Sequence, residues 1–99
     1  MNEFDQRQLL LMSKKIELYK ASQVDLGSLI GDLEGLLDML QTVGNSWKNS
    51  FSESWWELEI RYALSLSEND GKLTREDLDS INDSLNELQI LIKEQLCAL

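Results

Sequence analysis

The stretch "WKNSFSESWWELEIRYALSLSE", residues 47–68, carries two apolar stripes at helical spacing, and the choice between them decides how the chain is built. At about 100° per residue, Trp47, Phe51, Trp55, Leu58, Tyr62 and Leu66 fall on one face, which is core by default. Trp56, Ile60 and Leu64, spaced four and four, form a second stripe on the other side, with Glu53, Glu57 and Ala63 beside it. One reading puts this helix in the middle of a bundle with both sides buried, the usual fate of apolar stripes. The other makes Trp56 and Ile60 an exposed anchor rimmed by Glu53 and Glu57, the arrangement protein interfaces use. Two adjacent tryptophans facing different ways leave both open.

The same three-and-four recurrence runs through the rest of the chain, and with no proline among its 99 residues nothing forces a break inside a periodic segment. A first helix is expected over about 5–20, with Leu9, Met12, Ile16 and Tyr19 on one stripe that Leu11 and Leu18 widen. A second is expected over about 25–43, capped by Asp25, with Leu26, Leu29, Ile30, Leu33, Leu37 and Leu40 on one face. The third covers about 50–68, and the fourth about 75–96 with Leu78, Ile81, Leu85, Leu88 and Ile92. Short connections make consecutive helices antiparallel neighbours, so the expected fold is all-α, a four-helix antiparallel bundle forming a single domain over 1–99. A two-helix hairpin that dimerises is the alternative architecture.

Two features complicate the pattern. "GSLIGDLEG" sets Gly27, Gly31 and Gly35 four apart on the second helix, each costing about 0.8–1 kcal/mol relative to alanine. Their angular position lies away from the leucine face and on the side of Glu34 and Asp38. Either a neighbouring helix crosses closely there, or the glycines line a thin acidic groove open to a partner. "SENDGKLTREDL", residues 67–78, approaches a calcium loop: with Gly71 at the sixth position, Glu68, Asp70 and Asp77 fall at the third, fifth and twelfth. Leu66 at the first position offers no ligand and is expected in the core, and Asp77 is shorter than the usual glutamate. A helix boundary accounts for the same residues better. Asn69, Asp70 and Gly71 end one helix, Thr74 and Asp77 form a capping box for the next, and Leu73 with Leu78 supplies a hydrophobic staple.

Composition narrows the function. Eighteen acids against nine bases, with no histidine, give a net charge of −9. Such a balance argues against direct nucleic-acid binding, which needs clustered Lys and Arg. Residues 1–24 carry a net +1 and residues 25–59 a net −6, an asymmetry suited to steering a basic partner. No histidine, Cys/His cluster, glycine-rich phosphate loop or nucleophile elbow is present, so no catalytic residue, metal or cofactor is expected. No stretch approaches the roughly 20 apolar residues of a membrane span. The run Leu9–Met12, preceded by Glu3 and Asp5, is too short for a secretory signal. Cys97, the single cysteine, stands one place short of a prenylation box in the tail "CAL", and a reducing cytoplasm is the expected location.

With "LIGDLEGLLDML" followed by "SWWELEIRYALSLSE" and a final amphipathic helix, the chain resembles the small, acidic, helical immunity proteins that accompany bacterial toxins, of the contact-dependent growth-inhibition or bacteriocin type. The resemblance covers about three quarters of the chain and rests on size, charge and helical character, so it carries over no individual site residue. It implies a cytoplasmic protein that binds a cognate toxin domain, often a basic nuclease, and covers its active or substrate-binding surface with carboxylates. The residues expected at such a contact are Glu53, Trp56, Glu57 and Ile60, with Glu34 and Asp38 second. Two other readings stay open. One is a helical adaptor or regulatory subunit, which a homodimer formed through the last helix would support. The other is an acidic mimic of nucleic acid, with carboxylates spaced like phosphates.

Overall fold

Three of the four helices, all but the third, start where a short polar side chain satisfies free N–H groups. The computed structural model describes residues 2–68 and 70–97. Asn2 caps α1 (Glu3–Lys20), accepting from the N–H of Asp5 at 2.8 Å, and Asp25 caps α2 (Leu26–Met39), accepting from the N–H of Ser28 at 2.7 Å. α3 spans Asn45–Glu68, and α4 spans Arg75–Cys97. Thr74 and Asp77 form the reciprocal capping box expected at the start of α4. The Thr74 N–H donates to Asp77 Oδ2 and the Asp77 N–H to Thr74 Oγ1, both at 3.1 Å. Of the staple pair, Leu73 packs on the core while Leu78 stays largely outside it.

Helix ends follow from local chemistry as well. α1 closes on a left-handed Ser22 (φ 61°), where the Ser22 N–H donates to the Tyr19 carbonyl and the Gln23 N–H to that of Leu18. Asp70 (φ 53°) and Gly71 (φ 82°) turn the chain after α3, and the Gly71 N–H returns to the Ser65 carbonyl at 2.8 Å. Asn69, expected to share this turn, lies outside the described residues, as do the last two residues of the tail. α2 ends four residues sooner than the spacing suggests. Leu40 is already extended (ψ 132°), because the segment after it bends toward the start of α1. Leu40 and Val43 remain buried and so contribute to the core from a loop.

The four helices form an all-α antiparallel bundle of 42 × 26 × 19 Å. α1 packs on α2, α2 on α3, α3 on α4, and α4 returns to α1, a closed ring around one core. Leu9, Met12 and Ile16 of α1 meet Leu29 and Leu33 of α2, Phe51 and Leu58 of α3, and Ile81, Leu85, Leu88 and Ile92 of α4, all fully or nearly fully buried. Burying a side chain of this size contributes about 1.5–3 kcal/mol. The three-four stripe of α4 is thus consumed inside its own chain, and a homodimer built on that stripe would require the bundle to open.

α3 buries one side only. Its core line is Phe51, Leu58 and Ser65, seven residues apart, flanked by half-buried Trp47, Trp55 and Tyr62. Leu66, expected in the core, is 54% exposed, because Ser65 occupies the inward position in that turn and donates to the Tyr62 carbonyl at 2.7 Å. Leu66 sits about 100° further round the helix. Leu11, expected to widen the α1 stripe, is likewise exposed.

Candidate functional site

The two stripes of α3 part company at its adjacent tryptophans. The Trp55 indole N–H donates to the carbonyl of Ile30 on α2 at 3.0 Å, and the Trp47 indole N–H to the carbonyl of Leu91 on α4 at 2.9 Å. Trp47 also lies against Phe51, with ring centroids 5.2 Å apart. These indoles fix α3 between its two neighbours. Trp56 has no such bond among the described residues and is 55% exposed. Ile60 (47%) and Leu64 (41%) continue its stripe along the outside of the helix. The Trp56 ring rests 5.6 Å from that of Trp55 at 48°, so a ring tied to α2 backs the exposed one. Of the two readings of this stripe, the outward-facing one is the geometry found.

Glu53 and Glu57 are exposed and share this outer side of α3 with Trp56 and Ile60. Neither has a cationic partner within 4 Å among the described residues. Of the two bases on α3, Lys48 donates to the Leu40 carbonyl at 3.2 Å, and Arg61 is drawn to the α4 side, where its guanidinium meets Asp77 Oδ1 at 3.3 Å. The rim therefore keeps its negative charge. Two carboxylates beside an aromatic anchor can attract a cation, through charge and through contact with the indole face.

Glu34 and Asp38 are also exposed and without a cationic partner among the described residues, but they stand on α2. The Ile30 carbonyl that receives the Trp55 indole lies one helical turn before Glu34, so Trp55 links that turn to Trp56. The glycine ridge divides. A Cβ at Gly27 would come within 2.7 Å of the Tyr62 hydroxyl, so close helix approach explains that glycine. A Cβ at Gly31 or Gly35 would meet nothing within 4 Å, which leaves those two facing an open groove.

The loop that resembles a calcium site is a joint held by its own side chains. One Asp77 oxygen accepts from Thr74 and the other from Arg61. Led by the Thr74 N–H, these contacts hold the Asp77 carboxyl below its ordinary pKa. The exposure of Leu66 removes the core argument for this reading, and the capping box carries it instead. Among the described residues, no group of three or more His, Cys, Asp or Glu is placed to hold a metal ion, and no helix is long and apolar enough to cross a membrane.

One polar cluster was not expected. Asp5 is fully buried and ties the α2–α3 connection to the start of α1, accepting from the N–H of Gln41 at 2.9 Å, the N–H of Thr42 at 2.7 Å and the Thr42 hydroxyl. Its register with Leu9, Met12 and Ile16 is the signal that points to it: an acid on the core stripe must find donors. No protein-family profile, curated protein or solved structure gives a significant match to the chain.

Proposed function

We propose that this protein is an immunity protein that binds a cognate bacterial toxin domain and neutralises it by covering an active or substrate-binding surface. The observation that carries the reading is the outer face of α3. There an apolar stripe of Trp56, Ile60 and Leu64 is exposed and is bordered by Glu53 and Glu57, which have no cationic partner among the described residues. Buried aromatic anchors with charged rims supply the binding energy and orientation of protein interfaces. A net charge of −9 suits a basic partner such as a nuclease domain, whose substrate surface must itself attract phosphate.

Trp56 is the anchor, Ile60 extends the apolar contact, and Glu53 and Glu57 meet basic groups that would otherwise hold nucleic acid. Inhibition then needs no chemistry from the immunity protein. The cytoplasm, where the toxin would act, is the matching compartment. Co-expression with candidate toxin domains tests the reading: the wild-type chain rescues growth from one of them, and a Glu53→Lys/Glu57→Lys variant that stays folded rescues poorly. Equal rescue by that variant would remove the α3 face from the contact.

A further inference from the structure

Side chains on adjacent residues of a helix point about 100° apart and do not ordinarily face each other. Trp55 and Trp56 nevertheless bring their ring centroids to 5.6 Å at 48°. That spacing lies within the range of about 4.5–7 Å in which tilted aromatic pairs attract. One of the two rings must therefore leave its own radial line to meet the other.

Trp55 is not free to do so. Its indole N–H is committed to the Ile30 carbonyl of α2 at 3.0 Å, and its ring packs against the buried core. Trp56 is 55% exposed and has no hydrogen bond among the described residues. The exposed ring is thus the one that leans, off the outer line of α3 and toward the α2 side. Long side chains on a helix lie over the turn before their own Cα. In that turn Ser52, four residues earlier, is on the α2 side of Trp56 and short enough to leave the ring its room.

We infer that Trp55 is a positioning residue: tied to α2 through the Ile30 carbonyl, it holds the Trp56 indole in one orientation before a partner arrives. The inference rests on the reading of Trp56 as the anchor of the contact. An exposed side chain that rotates freely loses that freedom on binding, whereas a ring already held has lost it beforehand. Holding it raises affinity by about two- to tenfold over a freely rotating indole. α2 gains a part in the contact through its backbone, since a shift of the turn at Ile30 moves Trp55 and the anchor resting on it.

Fluorine NMR on the full chain labelled with 5-fluorotryptophan tests the inference in the absence of any partner, so its outcome is separate from that of growth rescue. The three tryptophans give three resonances, and the one missing in Trp56→Phe belongs to Trp56. In the wild type its line is nearly as broad as that of Trp47, whose indole is bonded to α4. Trp55→Leu removes the backing ring, and the Trp56 line narrows toward that of the free amino acid. Trp55→Phe keeps a ring without the bond to Ile30 and narrows the line in part; it also serves if the leucine variant does not fold. Far-UV circular dichroism and an unaltered Trp47 resonance confirm the fold of each variant. A Trp56 line already narrow in the wild type, or one that keeps its width in either folded variant, would overturn the inference. Growth rescue that fails while the Trp56 line narrows as expected would remove the immunity reading and leave the positioning by Trp55 in place.

Discussion

Asp5 shows how one side chain can decide where a helix ends. Burial opposes its ionisation, but the Thr42 hydroxyl, the N–H groups of Gln41 and Thr42 and the charge of Lys48 outweigh that cost and hold its pKa below the ordinary value. Replacing Asp5 by Ala leaves three donors without their acceptor, the N–H groups of Gln41 and Thr42 and the Thr42 hydroxyl, and chemical denaturation should register a loss of about 2–3 kcal/mol. The pH dependence has a definite sign. A carboxyl with a lowered folded-state pKa contributes its stability above the unfolded value of about 3.9, and that contribution fades as pH falls through the folded pKa. Stability measured below about pH 4 should therefore drop less steeply in Asp5→Asn than in the wild type. Equal acid slopes would assign the pH dependence to other groups. Ser22 invites the opposite kind of change. It holds the left-handed position that closes α1, where any side chain is strained. Ser22→Gly should raise the unfolding free energy by about 0.5–1 kcal/mol, and an unchanged or lower midpoint would place the turn's conformation elsewhere.

Helices α2 and α3 carry the contrasts that sequence spacing alone leaves open. Gly31→Ala and Gly35→Ala, each facing open space, should stabilise the dilute protein by about 0.8–1 kcal/mol through helix propensity. Gly27→Ala should forfeit that gain, because its methyl group displaces the Tyr62 ring; equal gains at all three would mean that Tyr62 moves freely. On α3 the adjacent tryptophans separate in the same way. Trp55→Ala removes a half-buried ring and its bond to α2, a loss of about 2–3 kcal/mol in thermal or denaturant unfolding. Trp56→Ala removes an exposed ring and should stay within about 0.5 kcal/mol of wild type. A large loss at Trp56 would return that stripe to the core. Periodicity sufficed for the helices and for most of the core, since Leu9, Met12, Ile16, Leu29, Leu33, Leu85 and Leu88 recur at spacings that only a helix turns to one side. It could not tell which α3 stripe faces inward. That depends on indole bonds to carbonyls 25 and 44 residues distant in sequence, and on Ser65 taking the inward place that Leu66 was expected to hold.

Assembled, the bundle distributes its charge by face, and this distribution connects fold to function. Lys20 is spent on α4, where it donates to Asn86 and Gln89 at 2.8 Å each, and Lys48 donates to the Leu40 carbonyl at 3.2 Å. Arg61 is held by Asp77 and Lys15 by Asp32. Cations employed in closing helix to helix are unavailable to the outer side of α3, so Glu53 and Glu57 project an uncompensated field around Trp56. The six site residues named from sequence are all exposed, yet their grouping was not evident there, because Glu53, Trp56, Glu57 and Ile60 stand on α3 and Glu34 and Asp38 on α2, and spacing within one helix does not say how two helices are set against each other. A field of this kind acts on encounter more than on residence. Against a basic toxin domain, Glu53→Lys/Glu57→Lys should lower the association rate constant by about tenfold at low salt, while the dissociation rate changes less. Raising the ionic strength should narrow the difference between variant and wild type, since screening over about 8–10 Å removes the attraction that the variant has already lost. Trp56→Ala should show the converse, faster dissociation with an association rate and salt dependence close to wild type. Stopped-flow fluorescence at several salt concentrations distinguishes the two. If both substitutions changed the dissociation rate alone, the carboxylates would be contacts made after docking, and the steering role assigned to the acidic rim would fall.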